Sequence, residues 1–330
     1  MGNRIFLSDP TACTAEVVAG ARLLAVADRV GPDRAWRRAA MDNLMRVVVA
    51  MFAWCMPLLL LAIAIGLAVK AMPLISTTPL MDLLTSSEWR PLKGEFGFLA
   101  FIVGTVEVTL IAVLLAVPFG VLSGIYLSEH SNTATKRLAV PVLDMLGAIP
   151  SVIFGIWGVV LIVPLVRNGI APFFGVASTG YTVLTGGLVL SVMVFPLITQ
   201  VVHEVVRTVP NGLRDAGLAL GATNWETTRK VVVRKALPGI WAACILGFSR
   251  AFGETIAVLM VVGNVVQIPW NPLQAGYPIP ALIANNYGEM MSIPMYDSAL
   301  MFAALLLLAI VLAFNLYARR VLKRMEIRAN

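Results

Sequence analysis

Six apolar runs, each long enough to cross a lipid bilayer, dominate this chain of 330 residues. A spanning helix needs roughly 20 consecutive, mostly apolar residues. In a bilayer every backbone polar group must be bonded within the protein, so runs of this length fold as helices. With 59% hydrophobic and only 13% charged side chains, the composition favours an all-α membrane protein over a soluble domain. The six predicted spans are approximately 44–69, 98–127, 138–166, 182–202, 238–262 and 299–317.

Positive charge lies almost entirely on one side of these spans. Of the 25 lysines and arginines, twenty fall before or at the start of the first span, in the second and fourth links, or at the carboxyl end. Only Lys70, Arg90, Lys93 and Arg167 fall on the opposite side. Because such residues are retained on the cytoplasmic side, both termini and the fourth link are predicted to be cytoplasmic.

Composition divides the chain into three parts. Residues 1–43 are mixed and fairly basic, and 14–29 fits either an amphipathic helix on the membrane surface or a solvated tail. Residues 44–320 form the predicted six-span domain, and residues 321–330 form a basic cytoplasmic tail.

Several classes of chemistry find no support in the sequence. The cysteines, Cys13, Cys55 and Cys244, lack the paired spacing of a disulfide or a metal site. No Gly-Lys-Ser or Gly-Lys-Thr is present, so the chain lacks the phosphate-binding loop of an ATPase. No nucleophile with a base and an orienting carboxylate stands out. Work against a gradient would therefore have to draw on ions or on a partner.

The polar segment 210–237, between the fourth and fifth spans, has the signals of a helical hairpin. Gly221 can end a first helix in the left-handed conformation, and Thr223 and Glu226 have the spacing of a capping box that begins a second. A basic loop is expected in any such protein. The small residues before Gly221 and the aromatic Trp225 go further, and predict a compact knob with an aromatic tip that docks in a partner's groove.

The fifth predicted span carries two charges, Arg250 and Glu254, near its middle. At about 100° per residue they share a face with Ala243, Gly247 and Ala257, which permit close helix approach. One interpretation is a pathway on which the guanidinium meets an anion while the carboxylate holds it or limits its affinity. The other is a structural ion pair between helices. The small residues favour the pathway, since a static pair needs none.

Three further polar residues are weaker candidates for such a pathway. Glu107, near the centre of the second predicted span, could face the same cavity, bond to a neighbouring subunit, or be protonated and hydrogen-bonded. Ser151 follows Pro150 at a helix break, where its hydroxyl could serve a substrate or, as we favour, cap the backbone. Asn264 follows the fifth span.

Several motifs resemble a known family. Asp215-Ala216-Gly217, followed after three residues by Gly221, resembles the EAA loop of membrane subunits of binding-protein-dependent ABC importers, and the match extends to 238–240. The likeness covers about residues 57–319 and resembles most the phosphate-specific permeases of the PstC type. Its further motifs are SSEWRP (86–91), GAIPSVIFGIWG (147–158), SRAFGETIAV (249–258) and VVGN (261–264).

The resemblance implies a type I importer permease in the bacterial inner membrane, forming half of an alternating-access pathway for inorganic phosphate on which Arg250 and Glu254 would lie. It implies a second permease of the PstA type, two PstB-type ATPase subunits and a PstS-type phosphate-binding protein as partners. ATP and magnesium would bind to the ATPase, so this chain would be no enzyme and hold no cofactor. The residues implied to couple to the ATPase are Asp215, Ala216, Gly217, Gly221, Ala222, Thr223, Trp225 and Glu226.

Two positions depart from the family pattern. Val233-Arg234 stands where the family has Leu-Pro, so this segment is expected to run as a straighter helix. Glu107 stands where an aliphatic residue is expected, so the resemblance assigns it no role.

Three other functions stay open. A permease for molybdate or sulfate is disfavoured by the motifs at 147–158 and 249–258. An ion-coupled carrier using Glu107 is disfavoured because no repeat is visible between the halves. A scaffold or sensor would leave the broken helices and the charged span unexplained.

Overall fold

The computed structural model describes residues 32–289 and 293–329, with side chains from residue 41 to 289 and 293 to 323. The segment 14–29, with its two alternatives, lies outside the described residues and stays a prediction. The chain divides into two compact units between Ile63 and Ala64. The hairpin, the candidate pathway and both hydrophobic cores belong to the second unit.

Helices make up most of the described chain. In chain order the elements are α1 (Pro32–Thr77), α2 (Leu80–Thr85), β1 (Trp89–Arg90), β2 (Glu95–Phe96), α3 (Leu99–Glu129), α4 (Thr133–Ala148), α5 (Ser151–Phe173), α6 (Val183–Arg207), α7 (Asn211–Ala219), α8 (Asn224–Phe252), α9 (Ile256–Val261), α10 (Ile279–Asn286) and α11 (Tyr296–Ala329). The two strands pair antiparallel. Helices α5 and α8 contain π-helical turns, which in α8 lie at Thr228–Val232.

Six helices of the described chain are long and apolar enough to cross a membrane, which confirms the predicted number and the all-α class. They are α1, α3, α5, α6, α8 and α11. The helix α4, which follows the second span, is not among them.

The third span begins later than predicted, at Ser151, so the predicted range 138–166 is wrong. Its first residues belong to α4, a separate helix that ends at Ala148. The break follows from Pro150, because the residue before a proline is pushed out of the helical conformation and Ile149 has ψ of 129°. The apolar run of the sequence therefore joins two helices that the backbone separates.

The fifth span is also displaced, since α8 begins at Asn224 in the hairpin and ends at Phe252, instead of covering 238–262. Pro238 lies inside the helix and does not begin it, as membrane helices tolerate such prolines. The helix α8 is continuous at Val233-Arg234, directly after its π-helical turn, and the straighter course expected there stays a prediction. After Phe252 the chain leaves the helix for three residues before α9.

Helices α3 and α6 form the centre of the second unit, and small residues let them approach closely. A Cβ added at Gly124 would lie 2.8 Å from the carbonyl oxygen of Thr199, and one at Gly120 would lie 2.9 Å from Cγ2 of Ile198. Such close contact matters in lipid, where packing replaces the hydrophobic driving force between helices. It also fixes the last turns of α3 and α6 side by side, where the hairpin begins.

An aromatic cluster closes the other end of α3. Trp89, from the motif at 86–91, lies edge to face against four rings with centroid separations between 4.9 and 5.9 Å. This geometry is the favourable one for aromatic pairs. The motif therefore builds a second hydrophobic core away from the hairpin. The four rings belong to Phe96, Phe98, Phe101 and Tyr296.

Candidate functional site

The segment between α6 and α8 folds as the predicted helical hairpin. Gly221 follows α7 with φ of +82°, a left-handed conformation that glycine adopts without strain. The Thr223 hydroxyl accepts a hydrogen bond from the Glu226 N–H at 3.2 Å, and a Glu226 carboxylate oxygen accepts one from the Thr223 N–H at 3.2 Å. The predicted capping box is therefore confirmed.

One arginine ties this hairpin to the ends of two spans. Arg214 Nη2 lies 2.7 Å from Oε1 of Glu129, at the end of α3, and its Nε donates to Oε2 at 3.2 Å. It also donates to the Val206 carbonyl oxygen of α6 at 3.0 Å and to Asn211 Oδ1 at 3.1 Å. The two side chains of the ion pair are 19% and 10% exposed. Hydrogen bonding to Glu129 raises the pKa of Arg214 above its usual value, so the guanidinium stays charged.

Sequence reasoning missed the ion pair between Arg214 and Glu129. The partners are 85 positions apart, and no spacing rule joins residues so distant. The available signal was a carboxylate at the end of a span next to a basic hairpin. Four other basic residues of the hairpin competed for the same carboxylate, namely Arg229, Lys230, Arg234 and Lys235.

The hairpin also carries exposed apolar side chains. Leu218 is exposed and Leu220 is 89% exposed. Gly217, in contrast, is buried where α7 packs on α8. A Cβ at this position would lie only 3.0 Å from Cγ2 of Thr227, so the absence of a side chain permits the close packing. Of the rest of the predicted coupling set, Ala222 and Glu226 are half-buried, and the exposed residues are Asp215, Ala216, Gly221, Thr223 and Trp225.

Trp225 makes a contact within this chain, and its predicted role as an aromatic tip that docks in a partner's groove stays a prediction. Its ring lies against His130 just after the end of α3, with centroids 6.0 Å apart, and His130 is in turn stacked near Tyr126 at 6.5 Å. The side chain is still 59% exposed.

The charged pair of the fifth span lies at a helix end and not at its middle. Arg250 belongs to the last turn of α8 and is exposed, whereas Ala243 and Gly247 are buried against the core. Glu254 lies in the break after α8, so the predicted common face of Arg250 and Glu254 is wrong. Within the described residues no ion pair joins the two.

Glu254 and Asn264 instead bracket the short helix α9. Glu254 Oε1 lies 3.5 Å from the Ala257 N–H nitrogen, and Asn264 Nδ2 donates to the Leu259 carbonyl oxygen at 2.8 Å. Asn264 adopts φ of +53°, and its Oδ1 is buried without a hydrogen-bond partner among the described residues. Asn264 is thus held in a strained conformation with one acceptor unused.

Helix α9 lies against the first turns of α5, which begin at Ser151. A Cβ added at Gly155 would lie 3.3 Å from Cα of Ala257. The structure therefore places Glu254 and Asn264 at the two ends of α9, and Ser151 at the start of the helix that packs against it. No side-chain hydrogen bond caps the start of α5, so the capping role favoured for Ser151 is not supported.

Glu107 lies on α3, between two positions that contact other elements. Gly104 approaches the backbone of Tyr277, and Val108 lies near Gly186 at the start of α6. Glu107 Oε2 is buried, and no partner is recorded for it in the described chain. No recorded contact brings it to Arg250. Among the side chains of residues 41–289 and 293–323, no group of three or more potential metal ligands occurs.

Comparisons with known proteins agree with this architecture. The family model described as binding-protein-dependent transport system inner membrane component matches residues 116–327. The probable ABC transporter permease protein YqgH of Bacillus subtilis is 34% identical over 86% of this chain and 91% of that protein. The phosphate transport system permease protein PstC of Mesorhizobium japonicum is 33% identical over 91% of this chain and 96% of its own length.

A solved structure supports the fold. The crystal structure of a bacterial ABC transporter involved in the import of the acidic polysaccharide alginate covers 88% of this chain and 99% of its own, with a TM-score of 0.59 at 16% identity. The predicted importer permease fold is therefore confirmed. Such permeases are the non-catalytic, multi-pass inner-membrane subunits of their transporters. The chain thus belongs to the family of binding-protein-dependent transport system inner membrane components, and its relatives include PstC permeases.

Proposed function

We propose that this chain is a membrane subunit of an ATP-driven importer of inorganic phosphate. Relatives named as phosphate transport system permeases support this substrate. The permease of Mesorhizobium japonicum cited above is 33% identical to this chain, and the match covers 96% of its length. The single structural observation that carries the proposal is Arg250, an exposed guanidinium in the last turn of a spanning helix. A charged side chain that a spanning helix leaves exposed in the isolated chain is expected to face a water-filled cavity or another chain.

Because Arg250 is exposed in the isolated chain, this chain would form only half of the phosphate pathway. The second half would come from another permease, of the PstA type, whose surface would cover Arg250. Around α9, Glu254, Asn264 and Ser151 would line the same route, with Glu107 on α3 as a further contributor. An unused acceptor such as Asn264 Oδ1 is expected where a hydrated or protonated anion passes, because water or the anion's own hydroxyl can donate to it.

The hairpin would couple this pathway to two ATPase subunits of the PstB type. Its exposed leucines and the set Asp215, Ala216, Gly221 and Thr223 form the face available to a groove. The excess of basic residues on this side supports a cytoplasmic position, where ATP and magnesium would bind to the ATPase. A PstS-type binding protein would deliver phosphate from the other side.

Arg214 gives this coupling a physical route. When the ATPase dimer closes on ATP, it would displace α7, and the guanidinium that joins α7 to α3 and α6 would carry both spans with it. Because α3 and α6 are closely packed, they would move as one body and open the pathway alternately to either side.

Uptake by the purified complex in proteoliposomes tests the proposal. We expect phosphate accumulation that requires ATP and the co-purifying ATPase, and that excess molybdate or sulfate does not inhibit. Accumulation driven by a proton gradient without an ATPase would instead indicate a secondary carrier. Inhibition by molybdate or sulfate, with transport of either, would indicate a different oxyanion as substrate.

A further inference from the structure

A groove of about 470 Å³ lies between the end of α3 and the start of α8. One wall is Leu122 and Ile125 of α3, and the facing wall includes Val233 of α8. The rings of Tyr126 and Trp225 complete it towards the hairpin. Apart from Trp225, which the resemblance places in the coupling set, none of the residues given a role in coupling or in the pathway lines this groove.

The lining is ordered by depth in the membrane. Leu122 lies about two turns before the end of α3 at Glu129, and Val233 lies more than two turns after α8 begins. The aromatic rings occupy the two helix ends. Aromatic side chains with a polar edge concentrate at the level where lipid headgroups meet hydrocarbon. The groove therefore runs from headgroup level into the acyl-chain region.

The mouth of the groove carries positive charge without a compensating carboxylate. Arg229 is exposed, and the ion pairs recorded in the described chain do not include it. Its neighbour Lys230, in contrast, is 3.1 Å from Glu226. The lining contains no aspartate or glutamate. A planar guanidinium with unused donors favours a phosphate group.

We propose that this groove binds one anionic phospholipid of the membrane leaflet next to the hairpin. Arg229 holds the headgroup phosphate, Trp225 and His130 lie beside the glycerol, and an acyl chain lies along Leu122 and Ile125. Inorganic phosphate shares the headgroup chemistry, but it would gain nothing from the apolar walls. Charge and apolar depth together match the lipid, as expected of basic pockets at membrane helix ends.

The position of the groove gives the lipid a consequence for coupling. Trp225 belongs to the first turn of α8, the second helix of the hairpin, and Tyr126 belongs to the span that ends at Glu129. Arg214 already joins the hairpin to that span through Glu129. A lipid in the groove adds a second bridge between the same two elements, so the leaflet's anionic lipid content would adjust how rigidly the hairpin follows α3.

Fluorescence quenching by brominated lipid tests the site in the purified complex with its partner chains. Nanodiscs of phosphatidylcholine contain a minor fraction of brominated phosphatidylglycerol or brominated phosphatidylcholine. The signal of Trp225 is the difference between the wild type and Trp225→Phe. We expect brominated phosphatidylglycerol to quench it at about fivefold lower mole fraction than brominated phosphatidylcholine, since one basic residue contributes about that much affinity.

Two variants decide the role of the guanidinium. Arg229→Gln should remove the preference for phosphatidylglycerol, while the matched control Lys230→Gln, a basic neighbour outside the groove lining, should keep it. Excess inorganic phosphate should not relieve the quenching. Equal quenching by both lipids in the wild type, an unchanged preference in Arg229→Gln, or relief by inorganic phosphate would each overturn the proposal. Absence of quenching together with cross-linking of Trp225 to a partner chain would assign the groove to that protein instead. None of these readouts depends on the transported substrate.

Discussion

The hairpin and the break around α9 are both polar regions of an apolar chain, but they treat their charges differently. In the hairpin, Arg214 is paired with Glu129 at 2.7 Å and Lys230 with Glu226 at 3.1 Å. Around α9, the described residues supply no ion partner for Arg250 or Glu254. These two ion pairs of the hairpin are complete within this chain, whereas the described residues leave both charges of the break unpaired.

Among the described residues, buried acceptors without a partner occur along the candidate pathway, although the hairpin also has one unpaired buried hydroxyl, Thr227 Oγ1. Asn264 Oδ1, at the end of α9, and Glu107 Oε2, on α3, are buried without hydrogen-bond partners in the described part of the chain. Leaving such a group unsatisfied costs about 1–3 kcal/mol. The amide of Asn264 and the carboxyl group of Glu107 are therefore suited to bonding with a second permease, with water or with a passing anion. A contact such as Arg214–Glu129, which is already paired, is suited to transmitting force.

Removing the charge of the break should have the largest effect on transport. We expect Arg250→Gln to lower phosphate uptake by about 100-fold or more, because truncating one side of a desolvated charge contact costs several kcal/mol. The partners should still co-purify. Within the described residues the Arg250 side chain forms no ion pair, so its replacement should not disturb the fold of this chain. Arg234→Gln, another exposed arginine of α8, is the matched control. Loss of assembly with Arg250→Gln would support a structural ion pair across the interface.

Breaking the paired charges of the hairpin should reduce stability. Arg214→Leu leaves Glu129 without its partner, and we expect unfolding to become easier by about 3 kcal/mol. Thermal unfolding of the purified complex measures this. The double variant Arg214→Leu with Glu129→Leu should recover part of the loss, because no unpaired charge remains. A double variant less stable than either single one would show that the ion pair is not the source of the effect.

The glycine at the hairpin turn should affect coupling more than folding. Gly221→Val places a β-branched side chain at φ of +82°, where an added Cβ would have no atom within 4 Å. The free energy of unfolding should therefore fall only by the cost of the left-handed backbone conformation, about 1–2 kcal/mol. We expect ATP hydrolysis to continue with reduced uptake and normal membrane insertion. Gly212→Val, where φ is ordinary and space is also open, should transport normally. Normal transport by Gly221→Val would contradict a docking role for this turn.

The smallest effect is expected at the capping box. Thr223→Ala removes one side-chain cap at the start of α8, worth about 1 kcal/mol. Amide hydrogen exchange at 223–227 should quicken by about fivefold while uptake changes little. Unchanged exchange would mean that contacts between α7 and α8 alone hold the hairpin.

The sequence predicted the hairpin well because its signals are local. Each signal involves residues that are close in the sequence. Gly221 ends one helix by its own left-handed conformation, and Thr223 caps the next helix together with Glu226, three residues later. The pair Arg214–Glu129 was missed, since only the packing of α3 on α6 brings those residues together. The break after Phe252 was missed for a different reason. The apolar run continues through it, so hydropathy gave no sign that Arg250 and Glu254 lie at a helix end.

The number of phosphate ions taken up per ATP hydrolysed tests the central claim most directly, namely that Arg214 transmits hairpin movement to the spans. The measurement compares proteoliposomes carrying the wild-type complex with those carrying Arg214→Leu. We predict that the variant still hydrolyses ATP but takes up at least about tenfold less phosphate per ATP, because α7 moves without α3 and α6. An unchanged ratio, even at a lower overall rate, would contradict the claim.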